Sequence, residues 1–283
     1  MSSLSDLRRE ADGRFLPLPS GLTYLVDEGQ DQTGTIVLVH GATVPHWEFD
    51  RLVPHLRAAG LRVVRFDLFG HGLSDRPAVE YNFDLFLQQA LAVLDSLHAT
   101  APITILGHSF GAALAAEIAN VRPTLVGRLV LVAPLLNFMV GSVWAKVFAL
   151  PRIGSPLMGW IGRPALERRR KRRYAAIGAE HLTPRFVAQA RASGYAEALA
   201  SMFANRTLGD QSERYRRLRS GEREIVVVAG AADRVIPLHD IARVRDLLPS
   251  HRYLEIADAE HNLQLTHAKQ VAAALASSSS LDP

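Results

Sequence analysis

Five short runs of this chain are apolar along most of their length: Thr35 to Val39, Arg62 to Phe66, Ile103 to Leu106, Leu129 to Ala133 and Ile225 to Ala229. Runs of that length without polar alternation suit strands buried on both faces of a parallel sheet. Between them, Glu48 to Ala59, Asn82 to His98 and Phe110 to Asn120 carry apolar residues at helical spacing, as crossover helices do. The pattern predicts an α/β protein. Weaker runs at Phe15 to Leu18 and Leu22 to Val26 suit an antiparallel edge. After Pro134 the alternation stops. Residues 135–218 hold no convincing strand, and Pro151, Pro156, Pro164 and Pro184 punctuate helical patterns rich in Ala, Arg, Leu and Met. The expected organisation is a core of residues 1–134 and 219–283 with a helical insertion at 135–218.

Composition narrows the chemistry. With 283 residues, 48% hydrophobic and 21% charged, the chain can bury one large core. It has no cysteine, which removes disulfides, thiolate catalysis and zinc–cysteine sites. The apolar stretch Leu135 to Ile161 is interrupted by Lys146, Pro151, Arg152 and Gly154, too often for a membrane span. It could face a greasy substrate or pack on the core. Residues 1–15 lack the apolar centre of a signal peptide, so a cytoplasmic setting is expected. The net charge of +4 is small for the length, and its densest part is the basic run Arg168 to Arg173. That run reads as a solvated helix face, with a phosphate or anionic-membrane patch as the alternative; no interleaved aromatics suggest nucleic acid. The Ser277 to Ser280 stretch reads as a frayed terminus.

One pentapeptide carries specific chemistry. Gly107-His108-Ser109-Phe110-Gly111 follows an apolar run and opens an alanine-rich helix, the setting of a serine held on a sharp strand-to-helix turn. A serine hydroxyl needs a base to act as a nucleophile. Asp233 follows the run Ile225 to Ala229, and His261 follows the strand-like Tyr253 to Ile256. Both loops would leave the carboxyl edge of a parallel sheet, where Ser109 also sits. His267 is the rival base, and Asp258 and Glu260 are the rival carboxylates, although the last two lie close in sequence to His261. The histidines show no recurring metal-ligand spacing, so neither a metal nor another cofactor is expected.

Four segments in order resemble the α/β-hydrolase superfamily: Val37 to Ala42, Phe66 to Pro77, Gly107 to Gly111 and Gly230 to Pro237. The resemblance implies an α/β-hydrolase fold whose insertion is a helical cap, a Ser109-Asp233-His261 triad, and an oxyanion hole from the backbone N–H groups of Ala42 and Phe110. It implies structural roles for His40, His71 and His108. The chain departs from the family pattern beside the histidine, where Glu260 stands in place of glycine. Trp47, Phe138, Trp144 and Trp160 are candidates to line the substrate pocket. The expected activity is hydrolysis of a small to medium apolar carboxylic ester through an acyl-enzyme. The partners expected are a small-molecule ester, no nucleic acid and no stable membrane insertion, in a monomer or homodimer. Alternatives are carbon–carbon hydrolysis of a ring-cleavage diketone, and a ligand receptor built on a hydrolase pocket. The diketone reaction needs polar groups around a dienolate, and neither the cap nor the residues after His261 show a recognisable set.

Overall fold

The computed structural model describes residues 4–29, 34–99, 101–140, 142–218 and 223–276. Eight strands form one sheet: β1 (Arg14–Leu18), β2 (Gly21–Glu28), β3 (Gly34–Val39), β4 (Leu61–Phe66), β5 (Ile103–His108), β6 (Val126–Val132), β7 (Glu224–Gly230) and β8 (Arg252–Ile256). Their order is β1-β2-β4-β3-β5-β6-β7-β8, with the β1–β2 and β2–β4 pairs antiparallel and the other pairs parallel. The unbroken apolar runs follow from pleating, because successive residues face opposite sides of a sheet covered on both. Val37, Val39, Ile105, Leu131 and Val227 join one buried cluster, and Ile36, Leu38, Leu106, Val130 and Val226 join the other. Each such side chain contributes about 1.5–3 kcal/mol on leaving water.

The helices in chain order are α1 (Leu4–Arg9), α2 (Val53–Ala58), α3 (Phe83–Ser96), α4 (Phe110–Val121), α5 (Val143–Phe148), α6 (Gly154–Leu157), α7 (Arg163–Ala176), α8 (Thr183–Arg191), α9 (Tyr195–Ala204), α10 (Ser212–Arg216), α11 (Leu238–Leu247), α12 (Leu263–Thr266) and α13 (Ala268–Ala276). The helix expected over Glu48 to Ala59 is split into a 3-10 turn, His46–Phe49, and the short α2. Pro54 sits in the first turn of α2, where its missing N–H costs least, so the helix begins there rather than running through. Between β6 and β7 the described residues form helices and turns alone, α5 to α10, joined by a π-turn at Met158–Gly162 and a 3-10 turn at Glu180–Leu182. The expected resumption of the core at 219–222 and the serine run 277–280 lie outside the described residues.

The segment 67–75 is shaped by one buried carboxylate. Asp67 accepts from the N–H and Nδ1 of His46 and from the N–H of Leu73, while Ser74 donates to its carbonyl. Burial raises the Asp67 pKa, but His46 and these donors outweigh it and hold the group below the usual carboxylate value. This loop therefore braces the turn after β3 from outside.

Candidate active site

Ser109 caps α4 at the end of β5 with φ 54° and ψ −114°, a region that L-residues rarely enter. Two glycines make the turn possible. A Cβ at Gly107 would strike the carbonyl of Gly111, and one at Gly111 would strike that of Val39. The elbow is pinned by its own backbone, with the Ser109 N–H donating to Val132 at 2.9 Å and its carbonyl accepting from Leu135 at 3.2 Å.

Asp233 and His261 meet directly. His261 Nδ1 lies 2.8 Å from Asp233 Oδ2, and Asp233 Oδ1 accepts from the N–H groups of Val235 at 2.7 Å and Ile236 at 3.0 Å. An ionised carboxylate only accepts, so Nδ1 carries the proton and Nε2 keeps its lone pair, as a general base requires. Burial raises the Asp233 pKa, yet the bond and charge of His261 and the two N–H donors bring it below the usual value. Burial lowers the His261 pKa; Asp233 opposes this and the charge on His108 adds to it. Among the described residues no hydrogen bond joins the Ser109 hydroxyl to His261. Their loops meet instead through His108, and catalytic bonds of unliganded enzymes commonly tighten only on substrate. Of the rivals, His267 Nε2 pairs with Asp258 at 3.2 Å and Glu260 pairs with Arg173, so all three have other partners.

The N–H of Phe110 opens α4 with no helical carbonyl a turn behind it. Ala42 sits on the turn after β3, its carbonyl held by His71 Nε2 at 2.9 Å. His71 Nδ1 lies 3.0 Å from the Phe69 carbonyl, and because burial pushes the pKa down to about 4, the neutral ring has one N–H to share between the two carbonyls. His40 accepts from the Leu68 N–H on Nε2 at 2.9 Å while its Nδ1 faces the Gly41 carbonyl at 2.6 Å, which fixes one neutral tautomer. Its pKa is lowered chiefly by burial. Both rings brace the turn that presents the Ala42 N–H.

A second histidine–carboxylate pair, invisible in the sequence, stands behind the first. Glu48, buried on the 3-10 turn, accepts from the Gly41 N–H and from His108 Nδ1, each at 3.0 Å. His108 Nε2 donates to the His261 carbonyl at 2.9 Å, and the two imidazole rings lie 4.8 Å apart. Gln264 Nε2 also lies 3.2 Å from His108 Nδ1, and the ring donates to both acceptors only when it is protonated. Burial opposes that charge, but Glu48 outweighs it and raises the His108 pKa. The cation holds down the His261 pKa, so the acid limb of kcat/KM should fall below the ordinary histidine value of about 6.5. His108→Gln removes the charge while keeping a donor, and the acid limb should move to higher pH. A pH–rate profile checks this; an unmoved limb would make His108 purely structural.

The basic run does not form a wholly solvated face. Arg170 turns inward and donates to Thr43 Oγ1 at 3.1 Å and Asn262 Oδ1 at 3.2 Å, with its guanidinium 5.6 Å from the Phe186 ring centroid. Thr43 follows Ala42, and Asn262 follows His261. Arg173 pairs with Glu260 on the other side of His261, which accounts for the departure from glycine there. Helix α7 thus grips both neighbours of the histidine, with Arg170, Thr43 and Asn262 forming a polar set on one side of it. Arg170 has no carboxylate partner among the described residues.

The expected pocket residues fall in different places. Trp47 is buried in the main core. Phe138 lines a cavity of about 450 Å³ with Leu136, Val235 and Ile236, between the start of the insertion and the Asp233 loop. Trp144 stacks on Phe148 at 5.8 Å with 55% of its surface exposed, and Trp160 is 85% exposed. Among the described residues no group of three His, Asp or Glu side chains could hold a metal ion.

A profile of the alpha/beta hydrolase fold matches residues 34–268, and the chain belongs to that family. A 2-hydroxymuconate semialdehyde hydrolase from Pseudomonas sp. (strain CF600) is 27% identical over 244 residues, 84% of this chain and 83% of that protein. A 2-hydroxy-6-oxo-2,4-heptadienoate hydrolase from Pseudomonas putida is 28% identical over 224 residues, 75% and 77% of the two chains. Among solved structures, an esterase from Exiguobacterium antarcticum superposes with a TM-score of 0.77 at 20% identity, covering 93% of this chain and 98% of its own. No helix among the described residues is long and apolar enough to cross a membrane.

Proposed function

We propose that the chain is a serine-dependent hydrolase that cleaves a carbon–carbon bond in a ring-cleavage diketone carrying a carboxylate, with residues 135–218 as its cap. The Asp233–His261 pair beside the Ser109 elbow is the observation that carries the serine chemistry. The substrate class is supported by the names of the two Pseudomonas relatives, whose compounds place a carbonyl and a carboxylate at opposite ends of a conjugated chain. Arg170 offers such a carboxylate a cation whose present partners are neutral.

In this reading the enol first becomes a ketone, its hydroxyl giving up a proton while the carbon next to the distal carbonyl takes one up. Ser109 then attacks the distal carbonyl while His261 Nε2 accepts the hydroxyl proton, Asp233 holding the imidazolium. The tetrahedral oxyanion rests on the N–H groups of Ala42 and Phe110, each such donor contributing about 3 kcal/mol to the transition state. Collapse breaks the carbon–carbon bond, whose electron pair leaves as an enolate that the substrate's other carbonyl stabilises. His261 returns its proton, and a water that it then activates frees the acid from Ser109.

Ester hydrolysis, the activity expected from the sequence, uses the same groups and becomes the second reading. It is favoured by the apolar lining of the cavity beside the Asp233 loop, Leu136, Phe138, Val235 and Ile236, which suits a substrate with an acyl chain. Wild-type protein given a 2-hydroxy-6-oxo-dienoate beside p-nitrophenyl esters separates the two. The expected result is faster turnover of the dienoate, together with Ser109 labelling by a fluorophosphonate. Arg170→Gln should raise KM for the dienoate about tenfold, as loss of a charged hydrogen bond does, and leave KM for a neutral ester unchanged. Turnover of esters alone would overturn the carbon–carbon reading; an unlabelled wild type would overturn the serine mechanism and favour a receptor.

A further inference from the structure

Eleven large apolar side chains stand exposed among the described residues, and eight of them lie between positions 138 and 161. The distribution follows from how this stretch folds. Helices α5 and α6 and the π-turn after them lie on α9, turning Ala145, Phe148, Gly154, Met158 and Gly162 inward. Val143, Trp144, Leu150, Ile153, Trp160 and Ile161 are left facing out. Two tryptophans 85% and 55% exposed on one short stretch of chain make an unusual surface for a protein that meets only water.

The charges on the same segment all have one sign. From Leu135 to Leu166 there is no Asp or Glu, while Lys146, Arg152 and Arg163 are present. Over 135–176 there are nine basic residues and one acidic residue, Glu167, which leaves the rest of the chain with 23 basic against 27 acidic residues. Among the described residues Lys146, Arg152, Arg163, Arg168, Arg169 and Arg172 form no ion pair with a carboxylate. The cationic excess therefore falls on the same stretch of chain as the exposed apolar residues.

From this juxtaposition we infer that the outer face of α5, α6 and the π-turn docks the protein peripherally on an anionic lipid bilayer. The chemistry fits at each level. Trp144 and Trp160 have the amphipathic rings that settle at headgroup depth, Leu150 and Ile153 would enter the acyl boundary, and the unpaired arginines would meet anionic headgroups. An identical second copy is a poorer occupant, because it would bring the same unpaired cations face to face. The acidic remainder of the chain, repelled by the same surface, orients the cap toward the bilayer.

The test is vesicle co-sedimentation of the full chain, with tryptophan emission as a second readout. Phosphatidylcholine vesicles containing about one-third phosphatidylglycerol should bind the protein and shift its emission to the blue. Pure phosphatidylcholine should bind at least tenfold less, and salt near 0.5 M should release most of the bound protein. Leu150→Ser/Ile153→Ser and Arg152→Glu/Arg168→Glu should each reduce binding about tenfold, with circular dichroism and hydrolysis of a soluble substrate unchanged. Three outcomes would overturn the inference: no binding to the anionic vesicles, binding that both variants retain, or a concentration-dependent dimer that buries the tryptophans without lipid. Since binding is read apart from turnover, failure here is distinguishable from failure of the proposed reaction.

Discussion

Asp233→Asn is expected to lower kcat/KM by about ten-thousand-fold with little loss of stability. The loss works through the tautomer of His261. The amide oxygen of the substituted side chain would keep the N–H groups of Val235 and Ile236, now bound by Asp233 Oδ1 at 2.7 and 3.0 Å, because an NH₂ turned toward them would set donor against donor. That orientation turns the amide NH₂ toward His261 Nδ1, where Oδ2 now sits at 2.8 Å. A donor facing Nδ1 makes it the acceptor, and the ring proton moves to Nε2. In the proposed mechanism, the nitrogen that takes the serine proton is then already occupied. Steady-state kinetics beside a thermal melt checks this. A loss below about a hundredfold would show that another carboxylate orients the ring, and the nearby candidates, Asp258 and Glu260, are paired with His267 and Arg173.

What the sequence disclosed was chemistry written in local patterns. The strands were legible because burial on both faces forces runs such as Ile225 to Ala229 to be apolar throughout. The elbow was legible because helix and strand approach so closely at Gly107 and Gly111 that only glycine fits. Asp233 and His261 were legible because each follows a strand at the same sheet edge. By contrast, Glu48 and His108 are 60 residues apart, and Arg170 and Asn262 are 92 apart. No periodicity links such positions. The basic run looked like a solvated face because Arg, Arg and Lys repeat without a gap. Helical geometry alone decides that Arg170 and Arg173, three apart, face the cleft together.

The same logic explains why the insertion read ambiguously. Its apolar residues suit either packing or a surface, and the split between Phe148 inward and Trp144 outward depends on α9, which lies some fifty residues further along. The departure from glycine at Glu260 looked like a weakening of the match when seen alone. Beside Arg173 it becomes half of a clamp on the histidine loop. Compensation of this kind pairs an unusual residue with a distant partner, which a single sequence does not reveal.

Ser109→Gly should make the protein more stable and almost inert. The serine is held at φ 54° and ψ −114°, where a Cβ crowds the backbone, and residues kept in such regions cost about 1–3 kcal/mol. Glycine removes the Cβ and reaches this conformation freely, although its extra freedom in the unfolded chain offsets part of the gain. A net rise of about 1 kcal/mol would lift Tm by roughly 2–4 °C in a chain of this size. Activity should fall about a million-fold, since in the proposed mechanism the nucleophile is gone and only binding and the oxyanion donors remain. Ser109→Ala separates the two effects, because it loses the same activity but keeps the Cβ and should leave Tm close to wild type. Equal Tm values for the glycine and alanine variants would show that the elbow holds no strain. The strain is tolerated because it holds the hydroxyl out of the helix and beside the imidazole loop, and a relaxed backbone at 109 would give up that position.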